Sequence, residues 1–174
     1  MKRRLMLLGA AAALAGCASP GPADYAAEKP VLDLKSYFNG ELIAHGMFSD
    51  RSGKVLRRFT AQITGTWNGG EGTLDERFQW SDGKTERRVW RLSDQGGGRW
   101  IGRADDVVGE AIGVAAGNAL NWRYTLRLPV DDKVYEVEFD DWMFLIDERT
   151  MLNRAVMSKF GVRLGEVTLS FTKR

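Results

Sequence analysis

The chain has 174 residues, 28% charged and 44% hydrophobic, with a formal charge of +2, which is the length of one domain. One cysteine, Cys17, and one histidine, His45, exclude an internal disulfide framework, Cys-rich zinc modules and multi-His metal sites. No metal or cofactor is expected, and acid–base chemistry is confined to one imidazole or to carboxylates.

Residues 1–16 form a signal peptide. Lys2, Arg3 and Arg4 give a positive start, and the apolar run from Leu5 to Leu14 is too short to span a bilayer. The run ends in Leu14-Ala15-Gly16-Cys17, which resembles the bacterial lipobox, where cleavage precedes the cysteine and the thiol carries a diacylglyceryl group. Cys17 is therefore the expected lipid attachment. In the lipoprotein class so resembled, an Asp after the cysteine signals inner-membrane retention. Ala18 in its place implies the outer membrane of a Gram-negative envelope, with the protein on the periplasmic face. Cleavage removes three of the 25 basic residues and none of the 23 acidic ones, turning +2 into −1. A domain without basic excess, outside the cytoplasm, is not expected to have a nucleic-acid partner. Residues 17–30, with Pro20, Pro22 and Pro30, read as a lipidated N-terminus and flexible tether, leaving 31–174 as a single domain.

From Leu34 onward the hydrophobic period is two. Phe59, Ala61, Ile63 and Trp67 share one face against Arg58, Thr60, Gln62 and Thr64. The segment 109–117 has Gly109, Ala111, Gly113, Ala115 and Gly117 on one face, and reads as a strand that bends or lets something approach its backbone. Leu120, Trp122, Tyr124, Leu126 and Leu128 alternate until Pro129, where the strand is expected to end. Tyr135, Val137 and Phe139 then face one way, and after Asp140-Asp141 the apolar parity passes to Trp142, Phe144 and Ile146, which predicts a β-bulge. Val167, Leu169 and Phe171 form the last run. Turn signals such as Asn68-Gly69-Gly70, Ser81-Asp82-Gly83 and Asp131-Asp132 separate these runs, with no helical period between them. The expectation is an all-β fold: an antiparallel up-and-down β-barrel, lipocalin-like, of 8–10 strands, with an open β-sandwich as the alternative.

Several motifs carry a family resemblance: Phe38-Asn39-Gly40, Gly117-Asn118-Ala119 with Trp122 and Tyr124, Phe139-Asp140-Asp141-Trp142-Met143, and Asn153-Arg154 with Met157 and Lys159-Phe160-Gly161, closed by Gly165-Glu166-Val167-Thr168. From about residue 34 to 173 the chain resembles the bacterial lipoproteins of domain-of-unknown-function family 3833. The resemblance implies a lipid-anchored envelope protein and supplies no catalytic residues.

Candidate chemistry is sparse. His45 lies in strand parity with Ile43 and Met47 and is a candidate ligand-facing group or general base. No Gly-x-Ser-x-Gly elbow accompanies it, which argues against a serine hydrolase. At the inferred bulge one of Asp140 and Asp141 is expected to point inward, with Arg154 as ion-pair partner. Trp90, Trp122, Tyr124 and Trp142, with His45 and Arg154, are the candidate ligand-binding residues, the aromatics lining a cavity for an apolar guest. Arg57, Arg58, Arg87, Arg88 and Arg91 make a locally basic region suited to anionic head groups or to a solvated strand face. The function these features favour is an outer-membrane lipoprotein that binds or carries an apolar or lipid ligand, with no enzymatic role expected. The alternatives are an envelope interaction or structural lipoprotein with a solid barrel, and an enzyme using His45 or Asp140/Asp141 with Arg154.

Overall fold

A strand that alternates apolar and polar residues needs one dry side and one wet side, and ten such strands supply both by closing on themselves. The computed structural model describes residues 19–130 and 132–174; Cys17, its lipobox and Asp131 lie outside them. The strands are β1 (Gly40–Asp50), β2 (Val55–Asn68), β3 (Glu71–Trp80), β4 (Thr85–Asp94), β5 (Arg99–Arg103), β6 (Ala111–Ala116), β7 (Ala119–Val130), β8 (Lys133–Leu145), β9 (Thr150–Lys159) and β10 (Val162–Lys173). Each pairs antiparallel with its sequence neighbours, and β1 pairs with β10 from Leu42 opposite Lys173 to Asp50 opposite Gly165. That seam makes the fold a closed up-and-down barrel and rules out the open sandwich.

The inner face follows the sequence alternation. Phe59, Ala61 and Ile63 of β2, Leu120, Trp122 and Leu126 of β7 and Phe171 of β10 are buried. The outward positions of β2 are Arg58, Thr60, Gln62, Thr64 and Thr66, so this wall is wet, the reverse of the apolar outer band of a transmembrane barrel. Among the described residues no helix is long and apolar enough to cross a membrane. The strand β7 passes through Pro129 to Val130 rather than ending at the proline.

The parity change at Asp140-Asp141 is not a bulge. The register of β8 runs unbroken through both aspartates, with Asp140 opposite Arg123 and Asp141 opposite Trp122 on β7 and no shift against β9. Val137, Phe139, Asp141, Met143 and Leu145 stay on the inner face. Trp142 and Phe144 are outer-face residues made apolar by a cover: Tyr25 packs edge-on against both rings, at 5.7 and 5.1 Å between centroids. Tyr25 belongs to a short 3-10 turn, Pro22–Tyr25, inside the segment expected to be tether. The Leu32 amide donates to the Gly117 carbonyl at 2.8 Å, continuing that attachment to the wall.

One end of the barrel is shut by α1 (Leu34–Tyr37), four residues capped by the Asp33 carboxylate, which accepts from the Ser36 amide at 3.2 Å. Leu34, Tyr37 and Phe38 are buried there. The Tyr37 hydroxyl donates to the carbonyls of Arg149 and Phe171, and the Phe38 ring meets Phe171 edge-on at 5.6 Å. Position 65 must be glycine for this plug to seat, because a Cβ would fall 1.6 Å from the Phe38 carbonyl oxygen. At the other end lie the hairpins β1–β2, β3–β4, β7–β8 and β9–β10, where Val55, Leu56, Val130, Val134, Phe160 and Val162 are exposed.

Candidate functional site

Between the plug and the hairpin end the barrel is hollow. A cavity of about 680 Å³ reaches from Leu34 and Phe38 to Arg57, Glu86 and Val130 at the rim, within the size range of small-molecule sites. On the β5–β6 side the inward glycines Gly102 and Gly113 take the Trp122 indole against their backbone. A Cβ at Gly113 or Gly102 would lie 2.3 Å from that ring. The glycine-rich face of 109–117 thus accommodates a close approach, and what approaches is the protein's own tryptophan.

Trp122 begins an aromatic wall. Trp90 meets Trp122 and Tyr124 edge-on at 5.7 and 5.4 Å, and Tyr124 stacks on Phe139 at 5.0 Å. Such pairs add about 0.5–1.5 kcal/mol each beyond area burial, so the wall is rigid.

Set into this wall is a polar cluster, buried at Glu76, Asp141 and Asn153 and partly buried at its other members. On β8, Asp141 accepts from the Tyr124 hydroxyl at 2.8 Å and from Asn153 Nδ2 of β9 at 3.1 Å. On β3, Glu76 is inward beside Arg88 of β4, its cross-strand neighbour. Arg88 is held by Asp106 from the β5–β6 connection, through Nε at 2.9 Å and Nη2 at 2.6 Å. Glu76, Arg88, Asp106, Tyr124, Asp141 and Asn153 all border the cavity. Burial pushes the Glu76 carboxyl up to about 7, with Arg88 opposing and the charges of Asp106 and Asp141 adding to the rise. Burial likewise lifts Asp141 to about 6, against the hydrogen bonds from Asn153 and Tyr124. The Tyr124 hydroxyl is raised well above its ordinary value, by burial first and the Asp141 charge second.

The sequence-derived candidates divide cleanly. Trp90, Trp122 and Tyr124 border the cavity together, and Asp141 joins them. The others do not. Trp142 is on the outer face, stacked on Phe144 at 5.9 Å under Tyr25. His45 is exposed on the outer face of β1, because Leu42 and Ala44 take the inward parity there. Arg154 is exposed on the outer face of β9 and bonds Glu166 through Nε at 2.6 Å. The expected pairing of Arg154 with Asp140 or Asp141 therefore does not form: Asp141 is on the opposite face, and Asp140 bonds Arg123 at 3.2 Å and Asn121 at 2.7 Å. The constellation of His45, Asp140/Asp141 and Arg154 is dispersed over both sides of the wall. The basic region is also locally neutralised, with Arg57 on Asp82, Arg87 on Asp75, Arg88 on Asp106 and Arg91 on Asp105. Among the described residues no cluster of three His, Cys, Asp or Glu side chains fits a metal ion.

Glu76 and Asn153 escaped sequence reasoning as site residues and Arg88 was read as part of a basic surface, although a signal for the inward position of each was present. Glu76 shares inward parity with Leu74 and Phe78, Arg88 with Trp90 and Leu92, and Asn153 with Met151 and Ala155. A polar residue in the apolar parity of a strand either has a partner inside or awaits one.

A family described as protein of unknown function (DUF3833) matches residues 11–173. Among curated proteins, none matches the sequence. The fold is similar to the S-type phycobiliprotein lyase CPES from Guillardia theta, with a TM-score of 0.59 at 5% identity, covering 80% of this chain and 89% of that one. It is also similar to a DUF3598-family protein of unknown function from Nostoc punctiforme, with a TM-score of 0.57 at 12% identity, covering 84% of this chain and 51% of that one.

Proposed function

The chain belongs to the DUF3833 family of proteins of unknown function, and we propose that it is a lipid-anchored envelope protein that holds an apolar ligand inside its barrel. The cavity of about 680 Å³ carries this reading. A narrow barrel meant only as a scaffold fills its interior with side chains, whereas here Trp90, Trp122, Tyr124 and Phe139 line a hollow beside it. The hollow interior also favours this reading over a solid interaction module.

The lipobox at Leu14–Cys17 supports the anchor, and Ala18 supports outer-membrane placement on the periplasmic face. Two or three acyl chains anchor stably where one does not. Native mass spectrometry of the protein purified from its own envelope tests the ligand: bound apolar mass is expected, and a barrel that neither retains nor takes up any apolar compound ends the proposal. Radiolabelled fatty acid is expected to enter the wild-type chain and not Cys17→Ala; label persisting in the variant refutes the anchor.

A further inference from the structure

The hydrogen-bonding groups around the cavity are out of balance. Within the buried cluster the donors are largely engaged: Arg88 is turned onto Asp106 through Nε and Nη2, the Tyr124 hydroxyl is given to Asp141, and Asn153 Nδ2 is given to Asp141 and to the Trp142 carbonyl at 3.3 Å, while the unpaired Arg57 Nε and Trp80 Nε1 lie toward the rim. Acceptors remain. Asn153 is 4% exposed and its Oδ1 has no partner, a condition that costs about 1–3 kcal/mol when nothing fills it. Glu76 and Asp141 each keep further acceptor capacity, since a carboxylate offers about four lone-pair sites. Within the cluster the charges lean the same way, with the carboxyls of Glu76, Asp106 and Asp141 around the guanidinium of Arg88, whereas Arg57, Arg87 and Arg127 stand with Glu86 toward the rim. A fatty-acid carboxylate placed here meets like charge, and the Nε–Nη2 fork of Arg88 is already taken by Asp106.

Resting on the reading of the barrel as a ligand container, we propose that its guest is an amphiphile bearing a protonated primary amine, the ammonium seated among Glu76, Asp141 and Asn153 and the apolar body along the Trp90–Trp122 wall. An ammonium has three N–H donors and no acceptor, which matches a site rich in acceptors. It also neutralises a carboxylate that burial otherwise penalises, and nearby aromatic faces favour a cation over a neutral head.

Isothermal titration of the full chain carrying Cys17→Ser, at neutral pH and below micelle formation, tests this with four probes of one chain length: decylammonium, decanol, decanoate and decyltrimethylammonium. Decylammonium is expected to bind about tenfold or more tighter than the other three, and Glu76→Gln and Asp141→Asn to erase most of that preference. Decanol or decanoate binding as well as decylammonium overturns the ammonium site and leaves the container standing. Decyltrimethylammonium binding equally well overturns the N–H donor requirement and assigns selection to the aromatic faces. No binding by any probe overturns both readings. The comparison of probes on the unsubstituted barrel decides the matter even if a variant fails to fold.

Discussion

The two ends of the barrel are built to opposite rules. At the plugged end aromatic rings interlock, backbone carbonyls receive a side-chain hydroxyl, and a glycine is required for the chain to pass. At the hairpin end apolar side chains stand in solvent. Phe160 is 89% exposed at φ 52, in the two-residue turn with Gly161 that joins β9 to β10. The left-handed region is unfavourable for a bulky side chain, and what the ring gains in return is the Lys159 ammonium 4.9 Å from its centroid. The tips of the hairpins thus have little packing to lose, and the packing of this end lies below them, where Phe59, Phe78 and Trp80 meet.

Substitutions can break that contrast. Phe38→Ala removes the ring from the plug and is expected to cost about 3–5 kcal/mol in urea unfolding; a loss below 1 kcal/mol would show that the plug is ornamental. Next in size is the polar cluster midway between the ends. Glu76 holds a proton more tightly in the folded barrel than in the unfolded chain, so the folded state binds more protons between about pH 4.5 and 7. Stability must then fall as pH rises through that window, on the order of 3 kcal/mol for a shift of this size. Arg88, Asp106, Asp141 and the Trp90 indole act on the same carboxyl and set its midpoint. Calorimetric melting is expected to drop by at least about 5–10 °C from pH 4.5 to 7.5, with Asp141, lifted to about 6, adding to the fall, and Glu76→Gln to remove a large part of the drop; an unchanged slope in the variant would remove Glu76 as its source.

A smaller loss is expected from Tyr37→Phe, which keeps the ring and deletes only the hydroxyl shared by Arg149 and Phe171. About 1 kcal/mol is lost by the usual worth of a buried hydrogen bond, read as a shift of the urea midpoint without change of slope. Smallest of all is Phe160→Ser, expected within about 0.5 kcal/mol of wild type. A cost as large as that of Phe38→Ala would show that the two ends are equally packed and erase the distinction drawn here.

Much of the fold was legible in the sequence because a barrel wall has one dry face, and period-two alternation is its direct record. The misreading at Asp140-Asp141 has a definite physical source. Trp142 and Phe144 look like core because Tyr25 covers them from outside, and a strand dry on both faces loses its parity signal. The aromatic half of the cavity was legible for the same reason that the strands were. Its polar half was legible at Asp141, one of the two aspartates expected inward, and not at Glu76, Arg88 or Asn153, because pairing across strands decides whether a lone Glu, Arg or Asn in apolar parity has company. His45 and Arg154 drew attention by their chemistry, yet their parity places both on the wet side.

The seam between β1 and β10 also governs how the molecule comes into being. Leu42 finds its partner only when Lys173 arrives, so the first strand stays unpaired on one side until the last is in hand. A chain whose closing contact spans nearly its whole length folds slowly, and a truncated version presents two raw strand edges to its neighbours. Nothing final can lock in such a polypeptide before its carboxyl terminus has joined the sheet.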